Sequence, residues 1–208
     1  MFTGLIESVG RIEALTHTGS GGLTLRIRTS LAPELQLGDS IAINGVCLTV
    51  TDVDGNAILA DIGPETTRVT TLGTLQRDHV VNLERPMRAD SRFGGHFVQG
   101  HVDGRGVVAA IRIDGDAHSV TIGFSSDLAS YLVPKGSVAV DGISLTIADL
   151  RDGQFDVMIV PFTWTHTTMS SLQAGNRVNL ECDMIGKYVV RALQITRDKN
   201  EKPDSGQP

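Results

Sequence analysis

The chain has 208 residues, 40% of them hydrophobic and 20% charged, the composition of an ordinary globular protein. Its 18 basic and 24 acidic side chains leave a net charge of −6 with no basic cluster, which argues against a nucleic-acid surface built on concentrated Lys and Arg. No stretch approaches the roughly 18 apolar residues of a membrane span. The two cysteines, Cys47 and Cys182, show no metal-ligand spacing and no duplicated disulfide framework, so a reducing, cytoplasmic setting is expected and no metal.

The N-terminal MFTGLIESVG carries Glu7 early and has neither the basic nor the apolar region of a signal peptide. LTLRIRT, Leu23–Thr29, alternates apolar and polar residues and predicts a strand. A short helix is expected near Pro33–Leu37. Gly38–Val53 and Ile58–Ile62 continue the strand pattern, and PETTRVTTLGTLQ follows at Pro64–Gln76. Val80–Arg85 reads as a strand with Asn82 and Glu84 facing outward. Gly, Asp and Asn punctuate these segments at Gly19–Gly22, Gly38-Asp39, Asp54–Asn56 and Gly63-Pro64, where turns are predicted. The polar Met87–Phe93 reads as a link.

Beyond the link the chain repeats itself. GDSIAINGVCLTVTDV at Gly38–Val53 returns as GSVAVDGISLTIADL at Gly136–Leu150, with Gly45, Leu48 and Thr49 each 97 positions from Gly142, Leu145 and Thr146. Pro64–Gln76 returns as PFTWTHTTMSSLQ at Pro161–Gln173, and VNLE recurs at Val81–Glu84 and Val178–Glu181. Thr3–Leu15 aligns with Gln99–Ile111 at an offset of 96. The period is far longer than the roughly 20–50 residues of solenoid repeats, so the chain holds one domain twice, at 1–87 and 88–183. The second copy also carries a short helix expected near Asp127–Val133, a strand at Phe155–Val160 and turns at Asp114–Asp116 and Asp152-Gly153. Many short strands with regular turns predict an all-β fold of two small closed antiparallel barrels. The absence of a βαβ rhythm and of a glycine-rich phosphate loop argues against a Rossmann domain. After the second VNLE, Ile185, Tyr188, Val189, Ala192, Leu193 and Ile195 share one side of a helix expected at 184–197. That helix either packs back on the body or pairs with copies of itself. The remaining residues, 198–208, have the composition of a disordered tail.

Where the copies agree, Ile41, Ile43, Leu48 and Val50 match Val138, Val140, Leu145 and Ile147 as inward residues. Cys47 and Thr49 face the other way, because strand side chains alternate, and their equivalents are Ser144 and Thr146. Each barrel thus presents two small hydrogen-bonding side chains on one face, either a solvent stripe or a surface for a flat polar ligand. Thr66 and Thr163, in the Pro-x-Thr elements, are either helix N-caps or ligand contacts. Where the copies differ, Leu5 becomes His101, Gly38 becomes Lys135 and Cys47 becomes Ser144, while Asp183 aligns with Pro86. Two equivalent pockets with unequal reactive groups would bind similar molecules and treat them differently.

MFTGLIE, NGVCLTV, PETTRVTTLG, GGHFVQGHVDG, KGSVAVDGISLTI and PFTWTHTT occur in the order of the riboflavin synthase family, and the chain resembles that family from Met1 to about Leu193. The resemblance implies two six-stranded Greek-key barrels plus a C-terminal helix, and a homotrimer held by those helices. It implies dismutation of two 6,7-dimethyl-8-ribityllumazine molecules by four-carbon transfer, with no cofactor, at a site between barrels of two subunits. The first pocket would use Gly4, Leu5 and Ile6, then Cys47, Leu48 and Thr49, then Asp61, Ile62, Gly63, Pro64, Glu65 and Thr66. The second would use Gly100, His101 and Val102, then Ser144, Leu145 and Thr146, then Met158, Ile159, Val160, Pro161, Phe162 and Thr163, with Lys135 at its edge. Phe2 and Ser40 match positions near the site. Phe162 and Trp164 depart from the polar residues of the family at the second Pro-x-Thr element.

In this reading His101 takes the main proton-transfer role, Ser144 and Thr146 position a nucleophile or water, Cys47 assists in the other barrel, and Asp183 orients a hydroxyl or histidine across the subunit contact. A non-catalytic lumazine- or flavin-binding antenna is the alternative, and docking with lumazine synthase a further expectation.

Overall fold

The alternating segments all become strands in the computed structural model, which describes residues 1–19 and 21–201, with side chains as far as Arg197. The first copy holds β1 (Ser8–His17), β2 (Leu23–Arg28), β3 (Ser40–Ile43), β4 (Val46–Asp54), β5 (Ala57–Ile62), α1 (Pro64–Val69) and β6 (Val80–Glu84). The second holds β7 (Gly104–Asp114), β8 (Ala117–Gly123), β9 (Ser137–Val140), β10 (Ile143–Arg151), β11 (Gln154–Ile159), α2 (Pro161–His166) and β12 (Arg177–Cys182), followed by α3 (Met184–Glu201). Each copy closes as a six-stranded antiparallel barrel, in the order β1-β2-β5-β4-β3-β6 and its equivalent, so neither leaves a sheet edge open. Register shifts fall at matching places, Ile12/Ala14 and Val50/Asp52 in one barrel, Val108/Ala110 and Ile147/Asp149 in the other. Such bulges supply the bend that closure of a small barrel requires.

Inward residues fill each barrel. Ile12, Leu25, Ile27, Ile41, Ile43, Val50, Ile58 and Leu83 are buried in the first, and Val120, Ile122, Val138, Val140, Ile147, Phe155 and Val157 in the second. Asn82 and Glu84 do point out of their barrel, as alternation requires, yet both are buried, as are Asn179 and Glu181. The outward reading holds, and the outward side is covered: Asn82 and Asn179 meet the other half of the molecule, while Glu84 and Glu181 meet the segments that lead into their own barrels. Asn82 Oδ1 accepts the Thr168 N–H at 2.9 Å and its Nδ2 donates to the Asp141 carbonyl at 3.0 Å. Asn179 mirrors it, accepting from Thr71 N–H at 2.7 Å and donating to the Asn44 carbonyl at 2.8 Å. The β3–β4 and β9–β10 hairpins meet back to back, and a Cβ on Gly45 would lie 2.6 Å from the Gly142 nitrogen.

The short helices expected near Pro33–Leu37 and Asp127–Val133 are 3-10 turns at Ala32–Glu34 and Ser126–Tyr131. Thr66 and Thr163 lie inside α1 and α2 and do not cap them; those helices begin with proline. The capping threonines are Thr70 and Thr167, whose hydroxyls accept the N–H groups of Leu72 and Met169 at the start of the next 3-10 turns.

The C-terminal helix runs to Glu201, past the expected end at 197, because the polar residues there do not stop a helix and the first proline comes at position 203. Of the tail expected at 198–208, residues 202–208 lie outside the described residues. Among the described residues, α3 touches the body through its first turns. Gly186 packs on the Tyr131 carbonyl, and Lys187 Nζ pairs with Asp103 at 2.6 Å. Ile185, Tyr188, Val189, Leu193 and Ile195 stay exposed, so their side of the helix does not pack back on this chain.

Candidate functional site

Two carboxylates from the repeated VNLE strands organise the segments that lead into the barrels. Glu84 accepts the Thr3 N–H at 2.6 Å, the Thr3 hydroxyl at 2.7 Å and the Gly4 N–H at 2.9 Å. Glu181 accepts the N–H groups of Gln99, Gly100 and His101 at 2.7, 2.9 and 3.0 Å. Burial pushes both carboxyls above their usual range, while the N–H donors pull them back. Gly4 and Gly100 have φ of 77° and 80°, and a Cβ on either would lie 2.6 or 2.5 Å from the Cβ of Ser144 or Cys47. These two positions therefore require glycine, both for the left-handed backbone and for the close approach.

The same contacts cross the two halves. The Gly4 carbonyl accepts the Ser144 N–H at 2.8 Å, and the Gly100 carbonyl accepts the Cys47 N–H at 2.9 Å. Ile6 packs against the core of the second barrel and Val102 against the core of the first. Within one chain Gly4, Leu5 and Ile6 thus sit with Ser144, while Gly100, His101 and Val102 sit with Cys47, crosswise to the pockets that the resemblance implies. The exchange has a simple cause. Each leading segment is bonded to a carboxylate in its own copy but passes over the seam before entering its barrel. Phe2, fully buried, forms the centre of that seam with Val98, Ala42 and Ala139, and Cys47 packs on its edge.

On the outer faces, Cys47 and Ser144 are half-buried and Thr49 and Thr146 exposed, on the opposite side from Leu48, Val50, Leu145 and Ile147. A pocket of about 350 Å³ lies on the second barrel, lined by Lys135, Ser144, Leu145, Thr146, Ala148, Met158, Val160 and Thr163. That volume falls within the range of small-molecule sites. Ile159, between Met158 and Val160, turns into the core. Lys135 adopts a left-handed φ of 65°, where the first copy has Gly38, and its Nζ donates to the Ala148 carbonyl at 2.8 Å. The rims differ in chemistry. The first barrel offers Asp61, which accepts the Thr24 hydroxyl at 2.6 Å, and Glu65, paired with Arg68, where the second has Met158 and Phe162. Ile62 is buried, Gly63 and Pro64 form the turn into α1, and Thr66 is half-buried. On α2, Phe162 stacks on His166 and Trp164 on His118, with ring centroids 4.0 and 3.7 Å apart. Pro161 opens this helix.

Ser40 lies opposite Thr49 in the β3–β4 pair and lines, with Leu5, a second cleft beside the link. Asp183 stands at the entry to α3, where its carboxylate accepts the Ile185 N–H at 2.9 Å. His101 is exposed at the rim. Sequence comparison of the copies missed His96. Its Nδ1 lies 2.7 Å from the Ser144 hydroxyl, and its buried Nε2 has no partner among the described residues. Burial lowers its basicity, and the charge of Asp183 partly restores it. Among the described residues no cluster of three His, Cys, Asp or Glu side chains is arranged to hold a metal ion.

The sequence profile of the family described as "Lumazine binding domain" matches twice, at residues 3–86 and 99–183. Riboflavin synthase of Bacillus subtilis (strain 168) is 45% identical over 194 residues, covering 93% of this chain and 90% of that protein. Riboflavin synthase of Mycobacterium bovis is 44% identical over 202 residues, covering 93% and 98%. The crystal structure of LumP complexed with 6,7-dimethyl-8-(1'-D-ribityl) lumazine is similar in fold, with a TM-score of 0.80, 23% identity, and coverage of 88% of this chain and 99% of that one.

Proposed function

The chain belongs to the riboflavin synthase family of doubled lumazine-binding proteins, and from that membership we propose that it dismutates two 6,7-dimethyl-8-ribityllumazine molecules to riboflavin and 5-amino-6-(ribitylamino)uracil. It is in this sense a transferase of riboflavin biosynthesis. The observation that carries the reading at the level of residues is the doubled outward pair, Cys47 with Thr49 and Ser144 with Thr146, on equivalent strands of two barrels. Two copies of one substrate call for two copies of one surface.

The substrate is electron-poor, and its C7 methyl group is acidic because the anion spreads into the ring. The protein's tasks are to stack two rings, accept a methyl proton and activate the partner ring to addition. Orientation alone supplies about 7–11 kcal/mol by making the encounter intramolecular. Proton transfer by a placed side chain adds about 10²–10⁴-fold. His101, exposed at the rim, is assigned the methyl proton, and Ser144, held by His96, positions the nucleophile or water with Thr146. Cys47 and Ser40 serve the first pocket, and Asp183 acts across a subunit contact from the start of α3. Lys135 faces the second ligand.

The open apolar side of α3 supports a homotrimer in which the working site lies between the first barrel of one subunit and the second barrel of another. A cytoplasmic location follows from the same reading, with Cys47 and Cys182 both free thiols; no described helix is long and apolar enough to cross a membrane. Association with a lumazine synthase would appear as co-sedimentation of the two purified proteins. Mixing the pure protein with lumazine alone tests the activity. Two lumazines consumed per riboflavin formed is the expected result; lumazine bound with unchanged fluorescence and no flavin absorbance would favour an antenna instead.

A further inference from the structure

The seam between the barrels carries one chemical difference at its centre. Asn44 and Asp141 occupy equivalent left-handed positions, φ 46° and 45°, at the tips of the two back-to-back hairpins. Asn44 Oδ1 accepts the Asn82 N–H at 2.7 Å, and Asp141 Oδ1 accepts the Asn179 N–H at 2.7 Å. The backbone carbonyl of each receives the side-chain amide of the asparagine from the opposite barrel. The network is otherwise the same residue for residue. One side chain does its work as an amide and the other as a carboxyl. A protonated carboxyl, with one donor and one acceptor, resembles the amide; a carboxylate only accepts.

We propose that the inter-barrel seam is a proton-operated joint, in which Asp141 is a neutral acid while the barrels are docked and its ionisation loosens them.

Several observations support this assignment. Asp141 is 5% exposed and, among the described residues, forms no ion pair. The charged or titratable groups that share its cleft, about 700 Å³ in volume, are Asp78 and His79 ahead of β6 and Arg177 at the start of β12. His79 is engaged through Nδ1 with the Gln76 N–H. Thr71 and Thr168 also line the cleft, and their buried hydroxyls, without partners among the described residues, do not hydrogen-bond the Asp141 carboxyl; Arg177 shares the cleft but forms no ion pair with it among the described residues. Burial accordingly pushes the Asp141 carboxyl from 3.8 up to about 7, with the Asn179 N–H only partly opposing it. The folded protein thus holds a proton that the unfolded chain has released between those two values. Stability is full at the acid end of that window, falls as pH rises through it, and levels off above.

The joint also reaches the pockets, because Cys47 and Ser144 are each held by a carbonyl from across the seam. It does not rest on the catalytic reading, and its test uses unfolding alone. Urea unfolding of the full chain is followed from pH 4 to 9 for the wild type, Asp141→Asn, Asn44→Asp and His79→Gln. Relative to Asp141→Asn, the wild-type folded-to-unfolded ratio is expected to fall by up to about a thousandfold across the window. His79→Gln retains that fall, and Asn44→Asp adds a second one. Superimposable profiles for the wild type and Asp141→Asn would overturn the proposal. So would a fall that disappears with His79, or an Asn44→Asp variant with no added pH dependence.

Discussion

At the scale of single residues, the carboxylate of Glu181 is the support on which His101 depends. It binds the backbone on both sides of Gly100, so the imidazole is carried to the rim by a segment that has no regular structure of its own. Replacing Glu181 with Ala leaves three N–H groups without their acceptor, at about 1–3 kcal/mol for each one that stays buried. Urea unfolding should therefore show a loss of several kcal/mol, and Glu84→Ala a similar one in the other copy. His101→Ala is a different experiment, since its side chain is exposed and supports no packing. Its turnover should drop by about 10²–10⁴-fold with the unfolding midpoint unchanged. Cys47→Ser keeps a small polar group on the strand and should remain partly active; complete loss would mean that the thiolate itself takes part. The doubled pairs on β4 and β10 were legible in the sequence because alternation fixes which residues share a face. His96 was not. The second copy aligns with the first only from Gln99, so comparing the halves could not reach a residue three positions earlier. The signal available was local: the Gly94-Gly95 pair before it, where a Cβ on Gly95 would lie 1.9 Å from the Thr3 carbonyl.

At the scale of elements, the strands were readable and their surroundings were not. An outward residue on a strand has the same sequence signature whether it meets water or protein, so alternation places Asn82 and Glu84 outward without showing that both are buried. The recurrence of VNLE in both copies was the available clue, since solvent tolerates many polar residues and does not require the same two. The helix α3 presents the reverse case. Its apolar side was legible from spacing, and the structure leaves that side open, with Tyr188 68% and Leu193 59% exposed. Apolar surface of this kind is stabilised by burial at about 25 cal/mol per Å², and a copy of the same helix offers a matching stripe. For the homotrimer proposed above, Leu193→Glu should therefore give monomers in sedimentation velocity, with the circular dichroism of the barrels retained. Activity should fall with assembly if each site spans two subunits. A variant that stays trimeric would remove α3 from the interface.

At the scale of the whole molecule, duplication has produced two barrels that complete each other. The segment leading into each barrel touches the other barrel's polar strand, so Cys47 and Ser144 are both tied to one seam. This makes a strong prediction about Gly142. Its φ is 80°, and a Cβ there would lie 2.7 Å from the Gly45 nitrogen, so Gly142→Ala must push the hairpins apart as well as strain its own backbone. The residue touches no ligand position, and both barrel cores lie on the far side of their strands. Secondary structure should persist while both pockets lose their register, because the Gly4–Ser144 and Gly100–Cys47 bonds depend on the same spacing. Trp164, the chain's single tryptophan, sits beside Thr163 of the second pocket and reports on that side alone. Titration with lumazine should then show weakened quenching of Trp164 and, from ligand fluorescence, weakened binding at the first pocket by a comparable factor. If only the second pocket weakened, the barrels would be independent binders that happen to touch. A loss shared by both would mean that the seam, and not either barrel, sets the geometry in which two identical substrates meet.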